Sequence, residues 1–240
     1  MDKLIKYANE WTKSAKHFYD RGDYGWAANH LSSKGTVLEI GCGTGYSSIA
    51  IMEHGNKIIA VDKNIVCIDR SLSLFRTKPE LDGKYSLFKG NIFDVSCIQK
   101  ILNDFEFDTV VIWNIGFAEE SEHEHEKNCA VLESLGYSLK NIKERYLASY
   151  CETMIMVACR IAQQKNANIQ IIERLEHEPN GDETLFYETL KEEFGFKNIK
   201  YDLRKANSLS MSGKKLVLDG KEINSDSIDL YLLSIVLSPR

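Results

Sequence analysis

Proline, paired cysteines and long apolar runs are scarce or missing in this sequence. Only 3 of its 240 residues are proline, a content that does not fit a disordered or proline-rich chain. No run of about eighteen apolar residues occurs, which excludes a membrane-spanning helix. The N-terminal residues also lack the apolar stretch of a signal peptide. We therefore expect a soluble, globular protein of the cytoplasm without a membrane partner.

The six cysteines are scattered and form no Cys-x-x-Cys pair. Disulfide frameworks belong to small, cysteine-dense, secreted chains, so we expect reduced and mostly buried thiols here. The 30 Lys and Arg residues and the 35 Asp and Glu residues give a net charge of −5. Because affinity for a phosphate backbone comes mostly from lysine and arginine, this charge disfavours nucleic acid as a partner.

Apolar periodicity divides the chain into alternating strands and helices. Residues 4–18 repeat apolar side chains at three- and four-residue steps, which predicts an amphipathic helix. Seven apolar runs are predicted to be strands, at residues 36–40, 57–61, 85–89, 109–113, 169–172, 197–201 and 229–236. Helical segments separate most of them. This alternation predicts a doubly wound α/β fold, with a mostly parallel sheet and helices on both faces.

One domain over residues 1–240 is predicted, because no internal repeat and no Pro- or Ser-rich linker divides the chain. Residues 1–30 are expected to form an N-terminal helical lid. Residues 115–140 and 205–227 are expected to be insertions, the first after strand four and the second containing a β-hairpin. Its Asp219-Gly220 pair accepts the positive φ angles of a type I′ turn.

A glycine-rich turn follows the first strand and opens a helix. In the segment Glu39-Ile40-Gly41-Cys42-Gly43-Thr44-Gly45, the glycines let the backbone approach a ligand closely, and the helix N-terminus offers unpaired N–H groups. A dinucleotide fingerprint would place glycine at position 46, where Tyr46 stands. The next strand ends in Asp62, and an acid there suits a ribose, whose two hydroxyls can donate to one carboxylate.

Two further polar segments end strands three and four: Gly90-Asn91-Ile92-Phe93-Asp94 and Trp113-Asn114. Carboxyl ends of parallel strands meet at one edge of a sheet, where ligands bind, so the four segments should lie together. In this order and spacing they resemble the class I S-adenosylmethionine-dependent methyltransferase family. The resemblance covers about residues 30–175, and the terminal strands fit that family's seven-stranded sheet with an antiparallel last strand.

The resemblance implies that S-adenosylmethionine is the cofactor and S-adenosylhomocysteine the product. The glycine loop would contact the methionine part, and Glu39 its ammonium, directly or through water. Asp62 would hold the ribose. A solvent-facing Glu39 and a Phe93 in ordinary core packing are the alternatives. The cofactor residues expected are Glu39, Gly41, Cys42, Gly43, Gly45, Tyr46, Asp62, Lys63 beside the adenine, Asn91, Ile92 and Phe93 around the base, Asp94 at its exocyclic amine, and Trp113.

The acceptor site has weaker signals. Amine-methylating relatives carry Asn-Pro-Pro and an aromatic residue where this sequence has Asn114-Ile115-Gly116-Phe117, without either proline. Residues 119–126 contain five acids and two histidines, which leaves three interpretations: a metal site, a general base or a solvated acidic surface. We expect no metal. The candidate catalytic residues are Asn114, His123 and His125, and the candidate substrate contacts from the lid are Tyr19, Tyr24 and Trp26, for which core packing is the alternative.

The sequence thus predicts an enzyme that transfers a methyl group in line to a small molecule, peptide or protein. A nucleic-acid methyltransferase and a non-catalytic cofactor-binding subunit are the alternatives. Because the first-motif glycines and the ribose acid are both present, turnover is favoured over the second alternative. No motif defines the accepting atom or an oligomeric state.

Overall fold

The computed structural model describes residues 2–31, 34–113, 130, 133, 149–209, 216–218, 221–223 and 227–239. The described helices are α1 (Asp2–Asp20), α2 (Asp23–Asn29), α3 (Tyr46–Glu53), α4 (Ile65–Phe75), α5 (Val95–Asp104), α6 (Ser149–Lys165) and α7 (Gly181–Phe194), with a short 3-10 turn at Pro79–Leu81. The described strands are β1 (Thr36–Ile40), β2 (Lys57–Asp62), β3 (Tyr85–Lys89), β4 (Thr109–Trp113), β5 (Asn168–Leu175), β6 (Asn198–Leu209), β7 (Leu216–Leu218), β8 (Lys221–Ile223) and β9 (Ser227–Ser238).

The main sheet has seven strands in the order β3-β2-β1-β4-β5-β9-β6. Strands β1 to β5 pair in parallel, and β9 runs antiparallel between β5 and β6. This arrangement confirms the predicted doubly wound α/β fold with an antiparallel last strand. Its consequence for a ligand is that β1, β2, β3, β4 and β5 all end at the same edge of the sheet.

Side chains of β1 alternate between two apolar layers. Val37 packs with residues of α1 to α4, whereas Leu38 and Ile40 pack with residues of α5, α6 and α7 on the other face. A strand buried on both faces needs apolar residues throughout, which explains the continuous apolar run in this part of the sequence. The polar exception is Glu39, which is buried as well.

Helix α1 is tied to distant parts of the fold at several points. The Arg70 guanidinium on α4 donates a hydrogen bond to Thr12 Oγ1 at 3.0 Å, and Asn64 Nδ2 donates to the Leu4 carbonyl at 3.3 Å. Near the other end of α1, His17 Nε2 lies 3.0 Å from Asn207 Oδ1 on β6. Helix α1 therefore contacts both α4 and β6, and its role as a lid stays a prediction.

Strands β5, β6 and β9 are longer than the sequence predicted. Strand β5 extends to Leu175 and β6 to Leu209, because both pair with the long β9. Polar residues beyond the predicted segment, such as Asp202 and Lys205, did not suggest that the strand continues, but β6 lies at the edge of the sheet, where exposed polar side chains are tolerated.

The predicted hairpin is confirmed in its two strands, since β7 and β8 pair antiparallel. Its turn residues, Asp219 and Gly220, lie outside the described residues. The described cysteines are all free, and Cys151 alone among them is incompletely buried. No helix in the described part of the chain is long and apolar enough to cross a bilayer.

Candidate active site

The loop of residues 41–45 makes a tight turn between β1 and α3. Gly41, Gly43 and Gly45 have φ angles of 78°, 54° and 89°, in the left-handed region that side-chain-bearing residues rarely adopt. The Gly41 N–H donates to the Val61 carbonyl at 2.8 Å, which joins the loop to the end of β2. The three glycines thus fold the chain back sharply at the ligand edge of the sheet.

Helix α1 touches this loop through Trp11. A Cβ atom placed on Gly43 would lie only 2.1 Å from Trp11 Nε1, so the indole can pack here only because residue 43 is glycine. Trp11 is 6% exposed and belongs to the buried stripe of α1. The sequence predicted Tyr19, Tyr24 and Trp26 as the aromatic contacts and did not indicate Trp11. The one signal for Trp11 was its position on the apolar face of α1.

Asp62 connects the glycine loop to α4. Its Oδ2 accepts the Gly43 N–H at 2.9 Å, and its Oδ1 accepts the Asn64 N–H at 2.8 Å. Burial raises the pKa of Asp62, while these two hydrogen bonds and the nearby Lys63 oppose the rise. Each carboxylate oxygen can accept a second hydrogen bond, so the carboxylate can hold the loop and bind the hydroxyls of a ligand.

Glu39 is buried beneath the start of α3. Its Oε1 and Oε2 accept hydrogen bonds from the hydroxyls of Ser47 and Ser48, each at 2.5 Å. Burial raises the pKa of Glu39 to about 7, against the lowering effect of the two serines. A solvent-facing Glu39 is excluded by these contacts. Sequence analysis missed the two serines, although their positions at the start of α3 are those of residues that face the end of β1.

The raised pKa of Glu39 predicts a pH dependence of folding stability. The folded protein holds this proton up to about pH 7, whereas the unfolded chain releases it near pH 4.5. The free energy of unfolding should therefore fall as pH rises between these values, by about 3 kcal/mol in total. Glu39→Gln should remove that slope, as measured by urea unfolding from pH 4 to pH 8.

The control for this prediction is Glu80→Gln, which changes an exposed carboxylate and should leave the slope of the unmodified protein intact. An unchanged slope in Glu39→Gln would contradict the assignment of the titrating group to Glu39.

The end of β3 provides both buried and accessible side chains. Ile92 and Phe93 are 4% and 5% exposed and belong to the core layer under α5, α6 and α7. Asn91 Oδ1 accepts the Phe93 N–H at 3.2 Å, which shapes the turn. Asp94, at the start of α5, is exposed, as is Lys63 after β2. Contact of Ile92 and Phe93 with an adenine stays a prediction, and Asp94 is free to accept from an amine.

Trp113 ends β4 with its ring stacked on Tyr24 of α2, at a centroid distance of 6.2 Å and an interplanar angle of 13°. The indole Nε1 is buried and has no hydrogen-bond partner among the described residues, and the same holds for the Thr44 hydroxyl in the glycine loop. An unpaired buried polar group is costly. A ligand at this edge could satisfy both groups, so they fit a polar cofactor.

The three aromatic residues predicted to contact substrate lie in different places. Tyr24 stacks on Trp113. The Tyr19 hydroxyl donates to Glu53 at 2.8 Å, and its ring packs on Tyr46 at 5.7 Å. Trp26 packs edge-on against His30 at 5.0 Å. Of the three, Tyr24 alone lies at the end of β4. Tyr19 packs against α3, and Trp26 packs against His30 at the end of α2.

The predicted catalytic residues Asn114, His123 and His125 lie outside the described residues. Within the described ranges, no cluster of three His, Cys, Asp or Glu residues could hold a metal ion.

Comparisons with known proteins place this geometry in context. No family model matches the chain. A cypemycin N-terminal methyltransferase from Streptomyces sp. is 31% identical over 116 residues, which are 48% of this chain and 42% of that relative. The similarity thus spans less than half of the length of the curated relative.

Solved structures share the fold at low sequence identity. A Pyrococcus horikoshii protein assigned as an RNA methyltransferase has a TM-score of 0.53 and 16% identity, over 90% of this chain and 79% of that one. An N-terminally truncated METTL16 methyltransferase domain has a TM-score of 0.51 and 11% identity, over 91% of this chain and 81% of that one. The fold is that of the class I S-adenosylmethionine-dependent methyltransferases, which confirms the fold implied by the resemblance of the motifs.

Proposed function

We propose that residues 1–240 form an S-adenosylmethionine-dependent methyltransferase domain that acts on a small molecule or a peptide. The observation that carries the proposal is the pairing of Asp62 with the glycine loop. Its carboxylate accepts the Gly43 N–H at 2.9 Å, so a ribose acid and a methionine-binding loop form one unit at the ligand edge of the methyltransferase fold.

The described residues fit the cofactor at both ends. Asp62 would bind the ribose hydroxyls, and the exposed Asp94 would accept from the adenine amine. The loop of residues 41–45 would bind the methionine part, where the Thr44 hydroxyl needs a partner. When bound, S-adenosylmethionine supplies an electrophilic methyl group on a positively charged sulfur.

The chain's own contribution is positioning and shielding. Helix α1 lies over the loop through Trp11 and excludes water from it. The rings of Tyr24 and Trp113 stack on each other and are buried, so they pack the helix α2 against the end of β4. Holding two reactants in line can supply roughly 7–11 kcal/mol of the barrier reduction, so few catalytic side chains are needed. A histidine base at His123 or His125 stays a prediction.

A peptide acceptor is supported by the matching relative, whose name describes methylation of a peptide N-terminus. The net charge of −5 argues against nucleic acid, because acidic residues outnumber the basic residues that could bind phosphates. The matched region covers only 42% of that relative. The acceptor class is therefore proposed from the similarity and the net charge together.

Calorimetry tests the proposal directly. We expect the protein to bind S-adenosylmethionine and S-adenosylhomocysteine in a 1:1 complex, and to produce S-adenosylhomocysteine when peptides or small amines are added. Absence of binding to both compounds would overturn the proposal. Binding without transfer to peptides, small molecules or RNA would favour the alternative of a non-catalytic cofactor-binding subunit.

A further inference from the structure

The order of strands indicates from which side an acceptor approaches. In the proposed function, on which this inference rests, the adenine lies at the end of β3, the ribose at β2 and the methionine at the β1 loop. The next strands in the sheet are β4 and β5, at spacings of about 4.8 Å. The end of β5 therefore lies about 10 Å from the end of β1, a distance that an acceptor molecule can bridge.

One carboxylate lies at that place. The last residue pair between β4 and β5 is Trp113 with Ile172, so Glu173 is the first residue of β5 beyond the end of β4. Strand alternation puts it on the same face as Ile169 and Ile171, toward α6 and α7. Glu173 is partly exposed, and the Tyr187 hydroxyl on α7 donates a hydrogen bond to its carboxylate.

The surroundings of Glu173 are poor in positive charge. Its neighbour Arg174 is exposed and acts on it through space, and Glu173 takes part in none of the salt bridges between described residues. Cys151 at the start of α6 and Tyr201 on β6 are the other titratable groups near Tyr187. Burial raises the pKa of Glu173, while Tyr187 and Arg174 lower it.

We propose that Glu173, positioned by Tyr187, binds the methyl acceptor as an amine and takes up its proton. A carboxylate that is partly removed from water and has no salt-bridge partner in the described part of the chain favours a cation beside it. A protonated amine supplies that charge and several N–H donors, whereas a phosphate would be repelled. The acceptor class is therefore an amine on a small molecule or at a peptide N-terminus.

The transfer step balances without another reactant. The ammonium gives one proton to the Glu173 carboxylate and becomes a neutral amine. The nitrogen lone pair then forms the bond to the methyl carbon, and the carbon–sulfur bond breaks with its electron pair remaining on sulfur. The products are the protonated N-methylated acceptor and S-adenosylhomocysteine, which is a neutral thioether. Glu173 then releases its proton to water.

The first test compares two matched peptide pools. Tripeptides with free N-termini and the same tripeptides with acetylated N-termini are incubated with the full chain and S-adenosylmethionine, and methylation is read by mass spectrometry. We expect methylated products from the free-amine pool alone. Equal methylation of both pools, or binding of S-adenosylhomocysteine without methylation of any free-amine peptide, overturns the amine assignment while leaving the proposed function intact. Loss of cofactor binding itself would instead contradict the proposed function.

The second test uses variants on the best peptide of that pool. Glu173→Gln should lower kcat by about 10²–10⁴-fold, with a Kd for S-adenosylhomocysteine within twofold of the unmodified value. Tyr187→Phe should shift the acidic limb of the kcat/KM profile to higher pH, because the hydrogen bond that lowers the pKa of Glu173 is lost. Glu192→Gln, an exposed carboxylate on α7, is the matched control and should change neither value.

Near-normal kcat in Glu173→Gln overturns the proposal. The same conclusion follows if His123→Ala or His125→Ala abolishes turnover while Glu173→Gln does not, because the base would then lie in the segment after β4. An unshifted pH profile in Tyr187→Phe would contradict the positioning role of Tyr187.

Discussion

Replacing Asp62 by asparagine should weaken binding of S-adenosylhomocysteine by about 10- to 150-fold, which corresponds to about 1.5–3 kcal/mol for a hydrogen bond to a charged group. The substitution removes the charge that would accept the ribose hydroxyls. It also turns one acceptor atom into an N–H donor facing either the Gly43 or the Asn64 N–H, both of which now donate to the carboxylate. Isothermal titration calorimetry measures the change.

Asp69→Asn provides the matched control, since Asp69 is an exposed acid on the neighbouring helix α4. Its affinity for S-adenosylhomocysteine should equal that of the unmodified protein. Should Asp62→Asn retain full affinity while its circular dichroism spectrum is unchanged, the assignment of Asp62 to the ribose is wrong.

Gly43→Ala should both destabilise the fold and remove cofactor binding. The residue has a φ of 54°, a conformation that costs a residue with a Cβ about 1–2 kcal/mol. The added methyl would also lie 2.1 Å from Trp11 Nε1, so α1 must shift off the loop. We expect the free energy of unfolding to fall by about 2–4 kcal/mol, measured by urea denaturation.

A double-mutant cycle separates the two causes. Combining Gly43→Ala with Trp11→Ala should cost less stability than the sum of the single changes, because the steric clash disappears while the backbone strain remains. Gly25→Ala in α2 is the control, since a Cβ there meets no atom within 4 Å. Strict additivity of the two substitutions would show that Trp11 does not press on the loop.

The parts of the site that sequence predicted are those fixed by local pattern. Alternation of strands and helices is a property of neighbouring residues, and it gave the sheet and its ligand edge. The turn at residues 41–45 and the acid at Asp62 follow the same logic, because a positive φ requires glycine and the end of a strand has a defined place.

The parts that sequence did not predict depend on contacts between distant segments. Trp11 meets Gly43 because Arg70 and Asn64 hold α1 at a particular angle, and no local pattern encodes that angle. Glu173 is a polar residue near the end of an apolar strand, which gave no signal until β5 and α7 were packed together. Tyr19 was predicted as a substrate contact because it is an aromatic residue of the N-terminal segment. Its hydroxyl instead donates a hydrogen bond to Glu53.

The place of β9 between β5 and β6 has a consequence for how the chain is made. The five parallel strands can pair as soon as residues up to 175 leave the ribosome, but β6 has no neighbour in this sheet other than β9. Until residues 227–238 are synthesised, the edge of β5 stays open and β6 stays unpaired. An open edge is a template for pairing with other chains, so the risk of aggregation is greatest before β9 is synthesised.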